Sequence, residues 1–249
     1  MKSRSILPDE GIPALSAEHA LFLDFDGTLA PLQDDPDTVA LPPDGAACLL
    51  KLAEKLDGAL VLISGRGIAD LALRSPSGLW RAGGHGQDVC KPGEMPTQDL
   101  AAAPAALLEA VQGIVSDVSG ARIEQKGRVI AIHYRQNPSA GPELAQRLKA
   151  VADTSDTHGF QHGKMVIELK PRGKDKGTAL AGLMQNRPFL GRTPIMVGDD
   201  ATDEDAMRAA IDLGGFGIKV GEGETCASYR FVDTASVWRW LRGHTNEHA

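Results

Sequence analysis

Asp24 and Asp26 stand where an apolar run ends, in Ala20-Leu21-Phe22-Leu23-Asp24-Phe25-Asp26-Gly27-Thr28-Leu29. Two carboxylates two positions apart point roughly the same way on an extended strand, and like charges that close are costly without a cation. Gly27 permits a tight turn, and Thr28 offers a hydroxyl and an N–H to an oxyanion. The set invites a hard divalent metal, and Mg2+ prefers a few carboxylates together with substrate phosphate oxygens. Asp-x-Asp-Gly also occurs in calcium loops and surface turns. A calcium loop needs a glutamate at its twelfth position, which counted from Asp24 is Asp35, and an apolar strand in front argues against a surface turn. The catalytic reading is favoured.

Further groups of the right type follow. Ser64 closes a second apolar run, Ala59-Leu60-Val61-Leu62-Ile63, and opens the turn Gly65-Arg66-Gly67. Asp199, Asp200 and Asp203 follow a third, Thr193-Pro194-Ile195-Met196-Val197-Gly198, with Lys176 at the start of the preceding helical stretch. Carboxylates, a hydroxyl, a lysine and turn N–H groups make a phosphoryl-transfer set, in which cations offset phosphate charge and donors hold its oxygens. A carboxylate can attack phosphorus to give an aspartyl-phosphate, and a second one can protonate the leaving oxygen and then activate water.

The elements that must position these groups read as α/β. Apolar runs bounded by turn signals are strands of a parallel sheet, whose ligands bind at the carboxyl ends of the strands. Pro42-Pro43-Asp44 precedes a helix over 46–55, so the first two strands form a βαβ unit. The middle of the chain differs, with a helix over 101–118, a hairpin over 121–134 turning at Lys126-Gly127, a helix over 143–152 and a strand over 164–169. This α+β pattern places an inserted domain at 88–167 between core segments 1–87 and 168–249, with Gly83-Gly84-His85-Gly86 near one hinge and Lys170-Pro171-Arg172-Gly173 near the other. The βαβ rhythm then resumes, with helices over 176–185 and 202–210, Thr202 as N-cap of the latter, and a strand over 214–220.

Composition narrows the class. The chain has 249 residues, 42% hydrophobic, enough for a sizeable core. A formal net charge of −7 argues against wholesale binding of nucleic acid or of an anionic membrane surface. Cys48, Cys90 and Cys226 have no metal-ligand spacing and read as reduced thiols. No segment reaches the roughly 18 apolar residues of a membrane helix, and the apolar run near Met1-Lys2 is too short for a secretory signal. The expectation is a cytoplasmic monomer acting on a small molecule.

Asp24-Phe25-Asp26-Gly27-Thr28, Ser64, Lys176 and Gly198-Asp199-Asp200-Ala201-Thr202-Asp203 match, in order, the motifs of haloacid dehalogenase-like phosphatases. Gly84-His85-Gly86, Glu124-x-Lys126-Gly127, His133-Tyr134-Arg135, Gly163-Lys164-x-x-x-Glu168 and Lys170-Pro171-Arg172-Gly173 extend the resemblance to trehalose-6-phosphate phosphatases of the bacterial type, from about residue 20 to 242. The resemblance implies a Rossmann-like haloacid dehalogenase-type core with an inserted α+β cap. It also implies Mg2+ as cofactor and hydrolysis of trehalose 6-phosphate in trehalose biosynthesis.

By that resemblance Asp24 is nucleophile and metal ligand. Asp26 is general acid/base and ligates Mg2+ through its carbonyl, Asp199 completes the ligands, and Asp200 and Asp203 support them. Ser64 and Lys176 hold the phosphate, Phe25, Gly65 and Arg66 join the substrate contacts, and Glu124, Lys126, Lys164 and Glu168 of the cap read the sugar. Gln87 departs from the family pattern, so residues 87 and 88 stay outside the site. Arg66 is read equally as phosphate neighbour or surface ion pair, and His85 stays open. His133 and His162 read as structural or exposed, and Trp80, Trp238 and Trp240 as packing. Rivals are a phosphatase of another sugar phosphate, a phosphomutase, and a non-hydrolytic phospho-aspartate signalling module, which has no use for an acid/base at Asp26.

Overall fold

The computed structural model describes residues 11–33, 35–96, 102–163, 165–173 and 175–245. The chain divides into two compact units, 1–96 with 175–249, and 97–174.

The larger unit is built on β1 (His19–Leu23), α1 (Gly45–Lys55), β2 (Leu60–Ile63), α2 (Ile68–Arg74), β3 (Trp80–Gly83) and β4 (Asp88–Cys90) before the insertion. The smaller unit contributes α3 (Ala105–Val115), β5 (Arg122–Lys126), β6 (Val129–His133), α4 (Gly141–Asp153), β7 (His158–Gly163) and β8 (Val166–Pro171). The larger unit then resumes with α5 (Lys176–Met184), β9 (Thr193–Gly198), α6 (Ala201–Asp212), β10 (Phe216–Val220), β11 (Tyr229–Phe231) and α7 (Thr234–Gly243).

Its sheet runs β11-β10-β9-β1-β2-β3-β4, parallel throughout except where β4 pairs antiparallel with β3. Ala20 to Leu23 of β1 and Leu60 to Ile63 of β2 are wholly buried, as central strands covered on both faces must be. From β1 the chain moves one way to β2 and β3, and later the other way from β9 to β10 and β11. The carboxyl ends of β1 and β9 therefore flank the point where strand order reverses, the usual ligand crevice of an open α/β sheet. Asp24 follows directly on β1, and Asp199 directly on β9.

The smaller unit carries a four-stranded antiparallel sheet in the order β5-β6-β8-β7. Ile130 and Ile132 of β6 and Ile167 and Leu169 of β8 pack with Leu107 and Val111 of α3 and Leu144 and Leu148 of α4. Because side chains alternate along a strand, the residues between them face away from the helices. Glu124, Ala131, Glu168 and Gln161 stand in register across the four strands on that opposite face.

Several boundaries differ from the sequence reading. Asp88 to Cys90 pair with β3 in the large sheet, and β8 pairs with β6 and β7, so residues 88–96 and 168–174 lie on the other sides of the expected cuts at 88 and 167. Helix α3 starts only at Ala105, after Pro104 with non-helical backbone, and stops at Val115 instead of filling 101–118, of which residue 101 lies outside the described residues. β7 gave no clear strand signal, since His-Gly-Phe-Gln-His-Gly is polar and it pairs only with β8. Helix α7, unread in the sequence, brings buried Trp238 under the Asp24 loop, where its Nε1 donates to Leu29 O at 2.7 Å.

Replacing Trp238 by Phe keeps most of the packing but strands that carbonyl. We expect the change to cost about 1–3 kcal/mol, the penalty for a buried group left without its partner. Urea unfolding followed by circular dichroism measures it, and a midpoint equal to that of the unaltered protein would show that the bond does not support the loop.

Candidate active site

The loop after β1 is closed by its own backbone. Leu29 N and Ala30 N both donate to Phe25 O, and Gly27 N donates to Ala30 O at 2.7 Å. Gly27 takes φ +82°, and a Cβ there would lie 2.1 Å from Asp199 Oδ2. Glycine is thus required both for the turn and for the approach of Asp199. The Phe25 ring is completely buried in the main core, and its carbonyl is used by the loop, so any contact of Phe25 with a ligand falls to its N–H.

Across the crevice, Asp175 caps α5 through Thr178 N at 2.7 Å, with the Thr178 hydroxyl returning to the Asp175 backbone. Lys176 therefore leaves from the first turn. Its buried ammonium donates to Asp24 Oδ1 at 2.7 Å and to Asp203 Oδ1 at 2.6 Å. The N-cap of α6 is Asp200, not Thr202. Asp200 Oδ1 accepts from Thr202 N at 2.8 Å and Asp203 N at 3.2 Å, and the Asp203 side chain answers the Asp200 backbone in a capping box. A residue directly after a strand end can still be extended, which an N-cap requires, whereas Thr202 is already helical.

Asp203 is the hidden member of the group. Its Oδ2 accepts from Asp199 N at 3.0 Å and Asp200 N at 3.1 Å, while Oδ1 takes Lys176. A Cβ on Gly198 would lie 2.3 Å from the Asp203 carboxyl carbon, so only glycine lets α6 fold back this tightly.

Ser64, fully buried at the end of β2, accepts from Arg66 N at its Oγ at 3.1 Å, which leaves its own proton to donate. The turn that follows is clasped by Gly84-His85-Gly86. His85 N donates to Ser64 O at 2.9 Å and Gly84 N to Arg66 O at 2.7 Å. His85 has φ +59° and ψ +30°, a left-handed backbone uncommon outside glycine, and its ring lies against Gly65. The glycine cluster read as a hinge is thus a clasp on the Ser64 turn. Arg66 forms a bidentate pair with Asp26 at 2.6 and 2.7 Å and donates once to Asp70 at 2.7 Å, ion pairs whose guanidinium is largely buried and not at the surface.

In the smaller unit, Glu124 Oε2 meets His133 Nε2 at 2.8 Å. His133, set aside in the sequence, therefore faces the same side as Glu124 and Glu168, and only strand register shows it. Lys164 lies outside the described residues, as does the side chain of Lys126. His162 meets the Tyr134 hydroxyl at 2.9 Å. The tryptophans pack, as expected, with Trp80 edge-on to Phe189 and Trp240 beside Phe231.

The charges of the crevice are out of balance. Burial pushes Asp24 well above the ordinary carboxylate range; Lys176 opposes this, and Asp203 and Asp199 add to it. Burial raises Asp199 to about 7, with Asp203 and Asp200 pushing the same way against Lys176 and Lys219. Burial works against the Lys176 ammonium too, but Asp24, Asp203 and Asp200 outweigh it and hold the charge. Lys176, with Lys219 beside Asp199, does not offset this many carboxylates. Ligand oxygens of Asp24, Asp199 and Asp203 lie within 4.8 Å of one another. With Asp203 already saturated by three donors, Asp24 and Asp199 remain as anionic ligands, a donor set of hard oxygens that fits a divalent cation. The Asp26 carboxylate is taken by Arg66.

The chain is similar to known proteins over most of its length. The model of the trehalose-phosphatase family matches residues 22–233. The trehalose-6-phosphate phosphatase of Escherichia coli K12 is 40% identical over 234 residues, covering 92% of this chain and 87% of its own. A solved trehalose-6-phosphate phosphatase related protein superposes with a TM-score of 0.69 at 28% identity, over 90% of this chain and 96% of that one. A haloacid dehalogenase-like hydrolase from Bacteroides thetaiotaomicron shares the fold at a TM-score of 0.62 and 18% identity, over 89% of this chain and 98% of its own. With matched motifs, fold and relatives in agreement over most of its length, this chain belongs to the trehalose-phosphatase family and has the haloacid dehalogenase-like fold.

Proposed function

We infer that this protein is a Mg2+-dependent phosphatase that releases trehalose and phosphate from trehalose 6-phosphate. The observation that carries the reading is the buried triad of Asp24, Lys176 and Asp203 at the sheet's switch point, in a chain of this family. Lys176 holds Asp24 Oδ1, so Oδ2 is the oxygen available to attack phosphorus. As the new Asp24–phosphorus bond forms, the bond to the sugar oxygen breaks, and Asp26 gives that oxygen a proton. Asp26 then takes a proton from water as the water oxygen attacks phosphorus, releasing phosphate and restoring the Asp24 carboxylate. Ser64 and the Lys176 ammonium hold phosphate oxygens as charge builds on them. Mg2+, held by Asp24, Asp199 and the Asp26 carbonyl, would neutralise phosphate charge at the attacked group.

The smaller unit acts in this reading as the cap that reads the sugar. Glu124 and Glu168 share one face of its sheet, where carboxylates can accept from sugar hydroxyls. Removing one such charge-assisted bond should cost about 1.5–3 kcal/mol. Glu168→Ala should therefore lower kcat/KM for trehalose 6-phosphate roughly ten- to a hundredfold while p-nitrophenyl phosphate, which lacks the sugar, is nearly unaffected. Equal losses on both substrates would remove Glu168 from sugar recognition.

Asp24→Asn should abolish phosphate release from trehalose 6-phosphate with the fold retained, because an amide is a very poor nucleophile and a weaker metal ligand. More than a few per cent of residual activity, in protein free of deamidated residue 24, would sink the nucleophile assignment.

Metal binding should also depend on pH. Asp24 and Asp199 have folded values raised above their unfolded ones, so their contribution to the stability of the metal-free protein is complete below about pH 4 and lost as pH rises through about 7 for Asp199. Mg2+ competes with those protons and should relieve the repulsion most where both groups are ionised. The rise in melting temperature at a fixed, saturating Mg2+ concentration should accordingly be larger at pH 8 than at pH 5.5. A shift that is equal, or greater at pH 5.5, would contradict a metal held by these carboxylates.

A further inference from the structure

Arg66 has few donors left for a substrate. Its Nε donates to Asp26 Oδ2 at 2.7 Å, and Nη2 donates to Asp26 Oδ1 at 2.6 Å and to Pro36 O at 2.9 Å. Nη1 donates to Asp70 Oδ2 at 2.7 Å. A guanidinium binds phosphate best through a two-pronged face, and the Nε/Nη2 face is already closed by Asp26. Its side chain is 11% exposed.

The guanidinium is also anchored independently of Asp26. Asp70 Oδ1 accepts from Arg74 Nε at 2.9 Å, and Arg74 Nη1 reaches Asp37 O at 3.0 Å and Val39 O at 2.8 Å. Arg66 and Arg74 thus fasten the 36–39 segment to α2, and the Arg66 side chain passes 5.8 Å from the centroid of the buried Phe25 ring. The backbone of Arg66 is fixed through Ser64 Oγ and Gly84 N. A planar fork held this way presents one fixed seat for a carboxylate.

We propose that Arg66 is the positioning residue of Asp26, setting where the proton-carrying carboxylate rests beside Asp24. The proposal rests on Asp26 serving as proton carrier in the reaction above. It assigns Arg66 an action through Asp26, in place of a contact with substrate. When Asp26 turns to the reacting oxygen, the guanidinium keeps Asp70 and Pro36 as partners, so the seat persists for its return. Lysine cannot substitute fully, because an ammonium lacks the two parallel donors that fix the plane of a carboxylate.

Steady-state kinetics on trehalose 6-phosphate with Mg2+, in native and Asp26→Asn backgrounds, tests this. Arg66→Met should lower kcat roughly ten- to a hundredfold with KM unchanged or lower, as expected for misplacing a catalytic group. Arg66→Lys should recover only part of the loss. In the Asp26→Asn background the same Arg66→Met change should cost less than about twofold, since the residue it positions has already lost its function. A raised KM with kcat retained would make Arg66 a substrate ligand and overturn the proposal, as would losses that multiply in the double variant. Should Arg66→Met fail to fold, Asp70→Asn loosens the same guanidinium and should give a smaller fall in kcat, again without a rise in KM and again absent in the Asp26→Asn background. An Asp26→Asn protein as fast as the native one would instead refute Asp26 as proton carrier, an outcome separate from any result on Arg66.

Discussion

The larger unit is organised around one buried ammonium. Lys176 is almost wholly excluded from solvent and touches two carboxylates. Charges in such a place cost several kcal/mol each unless geometry and further hydrogen bonds repay the lost water. The surrounding structure supplies both. Asp175 starts α5 one residue earlier, Asp200 starts α6, and Asp203 spends its second oxygen on the two N–H groups that follow β9. The two helices approach closely enough that a Cβ on Gly177 would lie 2.6 Å from Asp205 O. Helix starts, glycine positions and strand ends here are one set of solutions to a single electrostatic demand.

That demand is met only in part by the chain itself. Asp24 and Asp199 are held protonated more readily than free carboxylates because burial penalises their charge and neighbouring acids add to it against the nearby lysines. Such an imbalance has a price in stability and is characteristic of sites prepared for a ligand. Asp203 is raised by burial as well, yet both of its oxygens accept hydrogen bonds.

The smaller unit follows a simpler rule. Its sheet alternates, with isoleucine and leucine toward two helices and Glu124, Glu168 and Gln161 on the other side. Among its described residues no buried charge cluster organises it; apolar packing on one face frees the other to carry polar groups in register. Precision on that face comes from cross-strand contacts such as Glu124 with His133.

The amino-acid order alone determined the central strands and which polar residues stand at their carboxyl ends. Long apolar runs leave no alternative to burial, and a run that stops at Asp24, Ser64 or Asp199 must deliver those residues to the rim of a parallel sheet. Polar or short edge elements escaped it: β7 has too little apolar pattern, and α7 and β4 are legible only by what they pack or pair against. Contacts between distant segments were equally beyond it. Which carboxylate Arg66 would meet forty positions away, that Trp238 would brace Leu29, and that Asp203 rather than its neighbours would bind Lys176 all depend on how helices stack on the finished sheet. Sequence spacing fixes the local periodicity of side chains. Partnership across the fold is decided by close packing, which only the tertiary structure contains.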